Sequence, residues 1–403
     1  MARPQIDHIV VLLLENRSFD HMFGFLDHPK KAQFGLTGNE SISGIKVSPT
    51  ARYQIDSPDH SHDGVMSQLL GGENFPKGWT WNDDAQYPSD RWNLGFVQNY
   101  GLHCGSNAAK GARIMRCFDP RAIPVMATLA KQYALFTNWY CSVPGETWPN
   151  RDFAVAGTSF DRVNQYYWLR PKRSTIFERL AEALPPAPIR PFGIYHDSVA
   201  HTFLYPGLYG RGCFHGMKQF FDDVKTNRLP RYSYIEPDYG LGGDSWFMAL
   251  TKKALGNSAP GDSRGNSQHP GQAHSSAEFV AGEYLVASIY NALAETMRNH
   301  PEPEKSVFAR TLFLITYDEH GGFYDRKRPP RAVPPRAWKP KEAGEKGFKF
   351  DLLGPRVPAI AISPWIEPGT LIDATFDHSS IPATVRSVFM PTQSALTNRD
   401  FNA

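Results

Sequence analysis

The 403-residue chain lacks the short signatures that would settle its chemistry at a glance. It has no G-x-x-x-x-G-K-[ST], no G-x-G-x-x-G after a strand, no H-E-x-x-H and no G-x-S-x-G. Nucleoside triphosphatases, Rossmann dehydrogenases, zincin proteases and elbow-type α/β-hydrolases therefore lose support. Cysteine is scarce: Cys104, Cys117, Cys141 and Cys213 stand at irregular spacings with no C-x-x-C. That excludes a zinc ribbon or thioredoxin-type pair and leaves room for up to two disulfides. The apolar run Ile9–Leu14 is six residues, far below the roughly 18 needed to cross a bilayer, and no cleavable leader is visible. The expectation is a cytoplasmic protein, unless a leader has been removed or export follows a non-standard route. A net charge of +3 is too mild and too evenly spread for a nucleic-acid binder, whereas anionic small substrates fit.

Aromatic residues are plentiful, at 13% of the chain, which excludes collagen-like, coiled-coil and disordered readings. Ile6–Leu14 and Thr311–Tyr317 read as parallel strands covered on both faces, because neither alternates with polar residues. Val357–Ser363 is a third candidate strand. Helices are expected over 276–297, where Ser275-x-x-Glu278 supplies a capping box before Phe279, Val280, Leu285, Ile289 and Leu293. Others are expected near Pro124–Phe136 and after Thr175-x-x-Glu178, ending before Pro185 and Pro186. The alternation predicts one α/β domain with a mostly parallel sheet, capped by loop-rich insertions at about 28–120 and 326–349.

Ligands of such sheets gather at the carboxyl ends of the strands. Glu15-Asn16 follows the first strand and Asp318-Glu319 the second. Adjacent carboxylates repel unless a cation or proton sits between them, so these tips predict a hard-cation site; the competing reading is that Glu15 and Asp318 cap the elements that follow. Ser142-Val143-Pro144-Gly145-Glu146-Thr147 is a tight turn that exposes a hydroxyl, either a simple turn residue or a metal-activated nucleophile. His60 and His269 lie in polar loops where an imidazole could donate a proton; His196 and His378 are weaker candidates. The Arg326–Lys349 segment, with nine basic and two acidic residues, reads either as a steering surface for anions or as a solvated, proline-stiffened loop. Trp79, Trp81 and Trp92 read as packing or as an interfacial lid.

Nine stretches in order carry a resemblance. They are Asp7-His8-Ile9-Val10-Val11, Glu15-Asn16-Arg17-Ser18-Phe19-Asp20, Asp59-His60-Ser61, Ser142-Val143-Pro144 with Thr147-x-Pro149-Asn150-Arg151, and Tyr234-Ile235-Glu236-Pro237. Gln268-His269-Pro270, Tyr317–Asp325, Gly354-Pro355-Arg356-Val357-Pro358 and Asp377-His378-Ser379-Ser380-Ile381 complete the set. Together they resemble the bacterial, fungal and plant phosphoesterase family that contains phosphatidylcholine-type phospholipases C and related acid phosphatases. The resemblance implies a three-layer α/β/α core similar to alkaline phosphatases and sulfatases. It implies that Glu15, Asn16, Asp318 and Glu319 gather a divalent metal (calcium, magnesium, manganese or zinc) and that Thr147 is the nucleophile, forming a covalent phosphothreonine. His60 and His269 would serve the phosphoryl or leaving group, while Asn16, Arg151 and His378 would bind substrate. Phospholipases of the family carry Thr where its acid phosphatases carry Ser, so the expected substrate is a phospholipid and the alternative a phosphomonoester. The chain stops short of the C-terminal β-rich domains of the larger haemolytic phospholipases, so at most transient membrane contact is expected. A non-enzymatic reading, with the acidic tips holding a structural cation, is the third alternative.

Overall fold

The computed structural model describes residues 5–53, 55–71, 92–105, 108–166, 168–240, 265–271, 276–339 and 342–403. Its strands are β1 (His8–Leu14), β2 (Ser41–Ile42), β3 (Ile45–Lys46), β4 (Ala134–Phe136), β5 (Trp139–Tyr140) and β6 (Phe192–Tyr195). Then come β7 (Phe214–His215), β8 (Tyr232–Ile235), β9 (Thr311–Tyr317), β10 (Ala359–Ile362), β11 (Thr370–Ile372) and β12 (Phe376–Asp377). Eight form one sheet in the order β11-β4-β10-β9-β1-β8-β6-β7. β10 runs against both of its neighbours, and every other pairing in this sheet is parallel. Every residue of β1 is buried, as an uninterrupted apolar run requires of a strand covered on both faces. The helices form two mutually packed groups: Pro124–Gln132 and Met217–Lys225 against Ser276–Arg298, and Thr147–Ala156 and Ile176–Ala183 against Ser380–Phe389. With the sheet between them, this is a three-layer α/β/α architecture.

Local chemistry explains the helices that were legible. Thr175 accepts from the Glu178 backbone N–H while the Glu178 carboxylate accepts from Thr175, a complete capping box for Ile176–Ala183. The long helix spans Ser276–Arg298; its expected cap, Ser275, lies outside the described residues, and Val280 points outward at 43% exposure. The predicted helix near Pro124–Phe136 ends at Gln132, and Ala134–Phe136 is a strand. Between them Tyr133 takes an extended conformation. The third predicted strand is real but antiparallel, so its carboxyl end, Ser363, faces away from the tips of β1 and β9. Its amino-terminal flank, Arg356-Val357-Pro358, stands at the tip end instead.

The 28–120 segment is not loop alone: it carries the β2–β3 hairpin and the helices His62–Leu70, Phe96–His103 and Ala108–Gly111. These enclose a satellite core of Leu36, Ile42, Phe96, Tyr100, Ile114 and Phe323. All four cysteines are free thiols, three of them buried, so neither possible disulfide exists. Trp92 packs against Arg328, 4.2 Å from guanidinium to ring centre; Trp79 and Trp81 lie outside the described residues. Among the described residues, five of the nine basic side chains of 326–349 pair with acids: Arg326 with Asp20 and Glu40, Arg331 with Asp351, Arg336 with Asp161 and Glu342, Lys339 with Glu342, and Lys346 with Asp63. That favours a pinned loop over a free steering surface. No helix among the described residues is long and apolar enough to cross a membrane.

Candidate active site

The sheet register sets the site. Leu14 pairs with Tyr317, so Glu15 and Asp318 emerge together from adjacent parallel strands, and Asn16 and Glu319 follow them. Asp318 Oδ1 accepts from the backbone N–H groups of Asn16 (3.1 Å) and Glu319 (2.7 Å), which locks the two tips to each other. Asn16 adopts φ 58°, a conformation Asn tolerates better than most residues. Its side chain is fully buried, and neither its oxygen nor its nitrogen has a partner among the described residues; Glu319 Oε1 is likewise unpartnered. Burial, and next Asp318's charge, raise the Glu15 carboxyl well above the carboxylate range; burial likewise raises Glu319 and Asp318.

Asn150 shapes the turn ahead of Thr147. Its amide donates to the carbonyls of Val143 (3.2 Å), Gly145 (3.2 Å) and Glu146 (3.1 Å) and accepts from Val143 N–H (3.1 Å). Thr147 is thereby fixed as the first residue of the Thr147–Ala156 helix, at the end where unpaired N–H groups and the helix dipole favour an anion. One turn on, Arg151 Nε donates to Asp318 Oδ2 (2.9 Å) and Nη2 to the carbonyls of Leu13 and Leu14 (both 3.1 Å). Residues four apart share a helix face, so the helix that begins at Thr147 is anchored to the Asp318 tip through Arg151.

The two candidate histidines meet. The His60 and His269 ring centres are 5.9 Å apart, edge to face, and each Nδ1–H donates to a loop carbonyl, Pro58 for His60 and Pro270 for His269. Burial lowers His60, but Glu319 and the Pro58 hydrogen bond outweigh it and the net shift is upward. Gly322, at φ 71°, lets the His60 loop in: a Cβ there would lie 2.6 Å from the Asp59 carbonyl. Gln68 holds the same loop from behind, donating to Asp59 O (2.6 Å) while its oxygen accepts from His320 Nε2 (2.8 Å).

Two expected substrate contacts are placed elsewhere. Arg151 is wholly buried behind Asp318. His378 is also wholly buried, accepting from Trp139 Nε1 (3.2 Å) and donating to the Asp318 carbonyl; burial pushes it down to about 4. With both nitrogens engaged and no exposed surface, it positions Asp318 and does not reach substrate. His196 packs between Phe203 and Phe214. Sequence reasoning missed Ser267, whose carbonyl accepts from Glu15 N–H (3.0 Å), and the roles of Asn150 and Gln68. Only the motif containing Asn150 carried any signal for these.

Among the described residues no three His, Cys, Asp or Glu side chains converge as a preformed metal site. The case for a cation rests on the donor chemistry: two oxygen-rich tips, three carboxyls that burial holds toward neutrality, and orphaned oxygens on Asn16 and Glu319. An oxygen-ligated divalent ion fits that set.

An α/β/α sheet that gathers carboxylates at two adjacent strand tips, beside a hydroxyl at a helix amino terminus and a histidine pair, defines a hydrolase site for anionic esters. Residues 6–390 match the model of the phosphoesterase family. Non-specific phospholipase C6 of Arabidopsis thaliana is 32% identical over 422 residues, covering 98% of this chain and 70% of that protein. Non-specific phospholipase C3 of the same plant is 33% identical, with 98% and 71% covered. The non-hemolytic phospholipase C of Burkholderia pseudomallei is 26% identical, with 95% and 55% covered. Among solved structures, an alkaline phosphatase superfamily protein from Vibrio parahaemolyticus is 12% identical, covers 99% of this chain and 70% of that one, and has a TM-score of 0.38. That overlap is too low to bear on the fold. The chain belongs to the phosphoesterase family and is an ester-bond hydrolase.

Proposed function

We propose that the chain is a metal-dependent phospholipase C that cleaves glycerophospholipids through a phosphothreonine at Thr147. The observation that carries this reading is the Arg151–Asp318 clasp, which ties the helix that begins at Thr147 to the carboxylate tips. Glu15, Asn16, Asp318 and Glu319 would hold the divalent ion, which when bound offsets their mutual repulsion and supplies positive charge for a phosphoryl oxygen. The Thr147 hydroxyl proton passes to one imidazole of the His60–His269 pair, and the Oγ–P bond forms as the P–O bond to diacylglycerol breaks. His60 or His269 gives the departing oxygen its proton through Nε2, and Glu319 favours the charged imidazolium that this requires of His60. Water then attacks phosphorus, its proton going to the imidazole left neutral in the first step; the Oγ–P bond breaks, Thr147 Oγ recovers its proton from the other imidazole, and the phospho-headgroup leaves. The first-turn N–H groups of the Thr147 helix stabilise the phosphoryl charge. The phospholipase names of the relatives and the Thr at position 147 favour a phosphodiester over a phosphomonoester.

The test is hydrolysis of phosphatidylcholine beside p-nitrophenyl phosphate by metal-replete protein, with Thr147→Ala as blank. Thr147-dependent release of diacylglycerol with little phosphatase activity is expected. The reverse preference would make the protein a phosphomonoesterase.

A further inference from the structure

A basic cavity lies on the cap, about 240 Å³ in volume and lined by His21, Ala51, Arg52, Ile55, Arg113 and Arg116. No carboxylate is among its described lining residues. Its floor is rigid: His21 is buried, its Nδ1–H donates to the Arg116 carbonyl (3.1 Å), and Phe118 N–H donates to the His21 carbonyl (2.8 Å). The three arginines therefore project from a fixed base, with side chains that solvent reaches.

A second observation points the same way. Behind the His21 ring, 3.5 Å from its Nε2, stands the guanidinium of Arg17, which is completely buried. Its other hydrogen bonds go to the Gln268 carbonyl (3.0 and 2.7 Å), and it lies over the rings of Phe118, Phe279 and Phe323. No carboxylate neutralises it among the described residues. A buried cation normally has a paired anion. Here one ring separates it from a pocket that displays three more arginines, so positive charge is concentrated on both sides of the His21 ring. Guanidinium groups are the side chains best matched to phosphate oxygens, and the volume suits a phosphate group with a short substituent.

We propose that this cavity binds a phosphate-type anion, carried on a lipid headgroup or on a soluble phosphomonoester, at a site separate from Thr147. Arg17 links the two places, because the Gln268 carbonyl it holds lies between Ser267, which anchors Glu15, and His269.

The test uses metal-replete protein in the Thr147→Ala background, so that lipid is not consumed. Calorimetric titration with glycerol 3-phosphate is compared for that protein, for the further variant Arg52→Gln/Arg113→Gln, and for Lys218→Gln/Lys225→Gln, which removes equal charge from another surface. Flotation with phosphatidylcholine vesicles, plain or doped with phosphatidic acid, forms the second arm. One fewer equivalent of glycerol 3-phosphate, or affinity at that site weaker by on the order of 100-fold, in the arginine variant alone supports a soluble ligand. Loss confined to phosphatidic acid-dependent flotation supports the lipid source. Unchanged titration and flotation, or equal loss in the lysine variant, overturns the proposal.

Discussion

Asn150→Ala probes how the nucleophile is delivered. The wild-type amide makes four hydrogen bonds to the 143–146 turn, from a side chain with no exposed surface. Alanine removes all four and leaves the Val143 N–H and three carbonyls without that partner. At a net 0.5–1.5 kcal/mol each, the expected loss of stability is about 3 kcal/mol, a large share of a typical domain's 5–15 kcal/mol. The catalytic effect is separable from this loss. A displacement of about 1 Å in a reacting group costs roughly 100-fold in rate, and the turn sets the position of Thr147. Urea unfolding gives the first quantity, and kcat on a chromogenic phosphodiester at a temperature where the variant is folded gives the second. Stability within about 0.5 kcal/mol of wild type together with unchanged kcat would refute the reasoning.

Other consequences are as direct. Gly322→Ala should cost more than about 1 kcal/mol for the left-handed backbone alone, with a further penalty from the Asp59 contact. It should also lower kcat by shifting His60; a silent variant by urea midpoint and rate would contradict the packing described. Burial raises Glu283, whose carboxylate accepts from the Val125 N–H (2.8 Å), to about 7 from 4.5. The folded state keeps this proton longer, so the stability is full below pH 4.5 and is lost as pH rises toward 7, by about 3 kcal/mol. Glu283→Gln should flatten that slope in unfolding measured across the interval; an unaltered slope would assign it to other groups. Removal of divalent ions by chelation should abolish turnover and lower the melting temperature, since the folded state loses a bound ligand and Glu15, Asp318 and Glu319, raised by burial, lose the cation that would keep them ionised. Full activity in a verified metal-free sample would contradict the assigned ligand role.

The parts of this molecule that were legible in the sequence are those governed by local pattern. β1 and β9 could be read because strands buried on both faces are apolar without interruption, and the Ile176–Ala183 helix because its capping box is written in four residues. Ala134–Phe136 was hidden because three apolar residues directly after a helix continue the helical pattern, and only pairing with β10 and β11 makes them a strand. The direction of β10 is a property of topology that its own residues do not encode. At the site, the carboxylate tips were visible as strand ends. The engagement of His378 depends on contacts across 239 positions to Trp139 and 60 to Asp318, and the Arg151–Asp318 clasp on one across 167. Local spacing carries no trace of either.

The central claim is that Thr147 attacks phosphorus. Acid quenching of metal-replete enzyme during turnover of a phosphatidylcholine substrate, followed by peptide mass mapping, tests it directly. The account predicts a phosphoryl-headgroup adduct on the peptide that contains Thr147, and neither adduct nor turnover in Thr147→Ala. Sustained turnover by Thr147→Ala, or an adduct on a different residue, would contradict it.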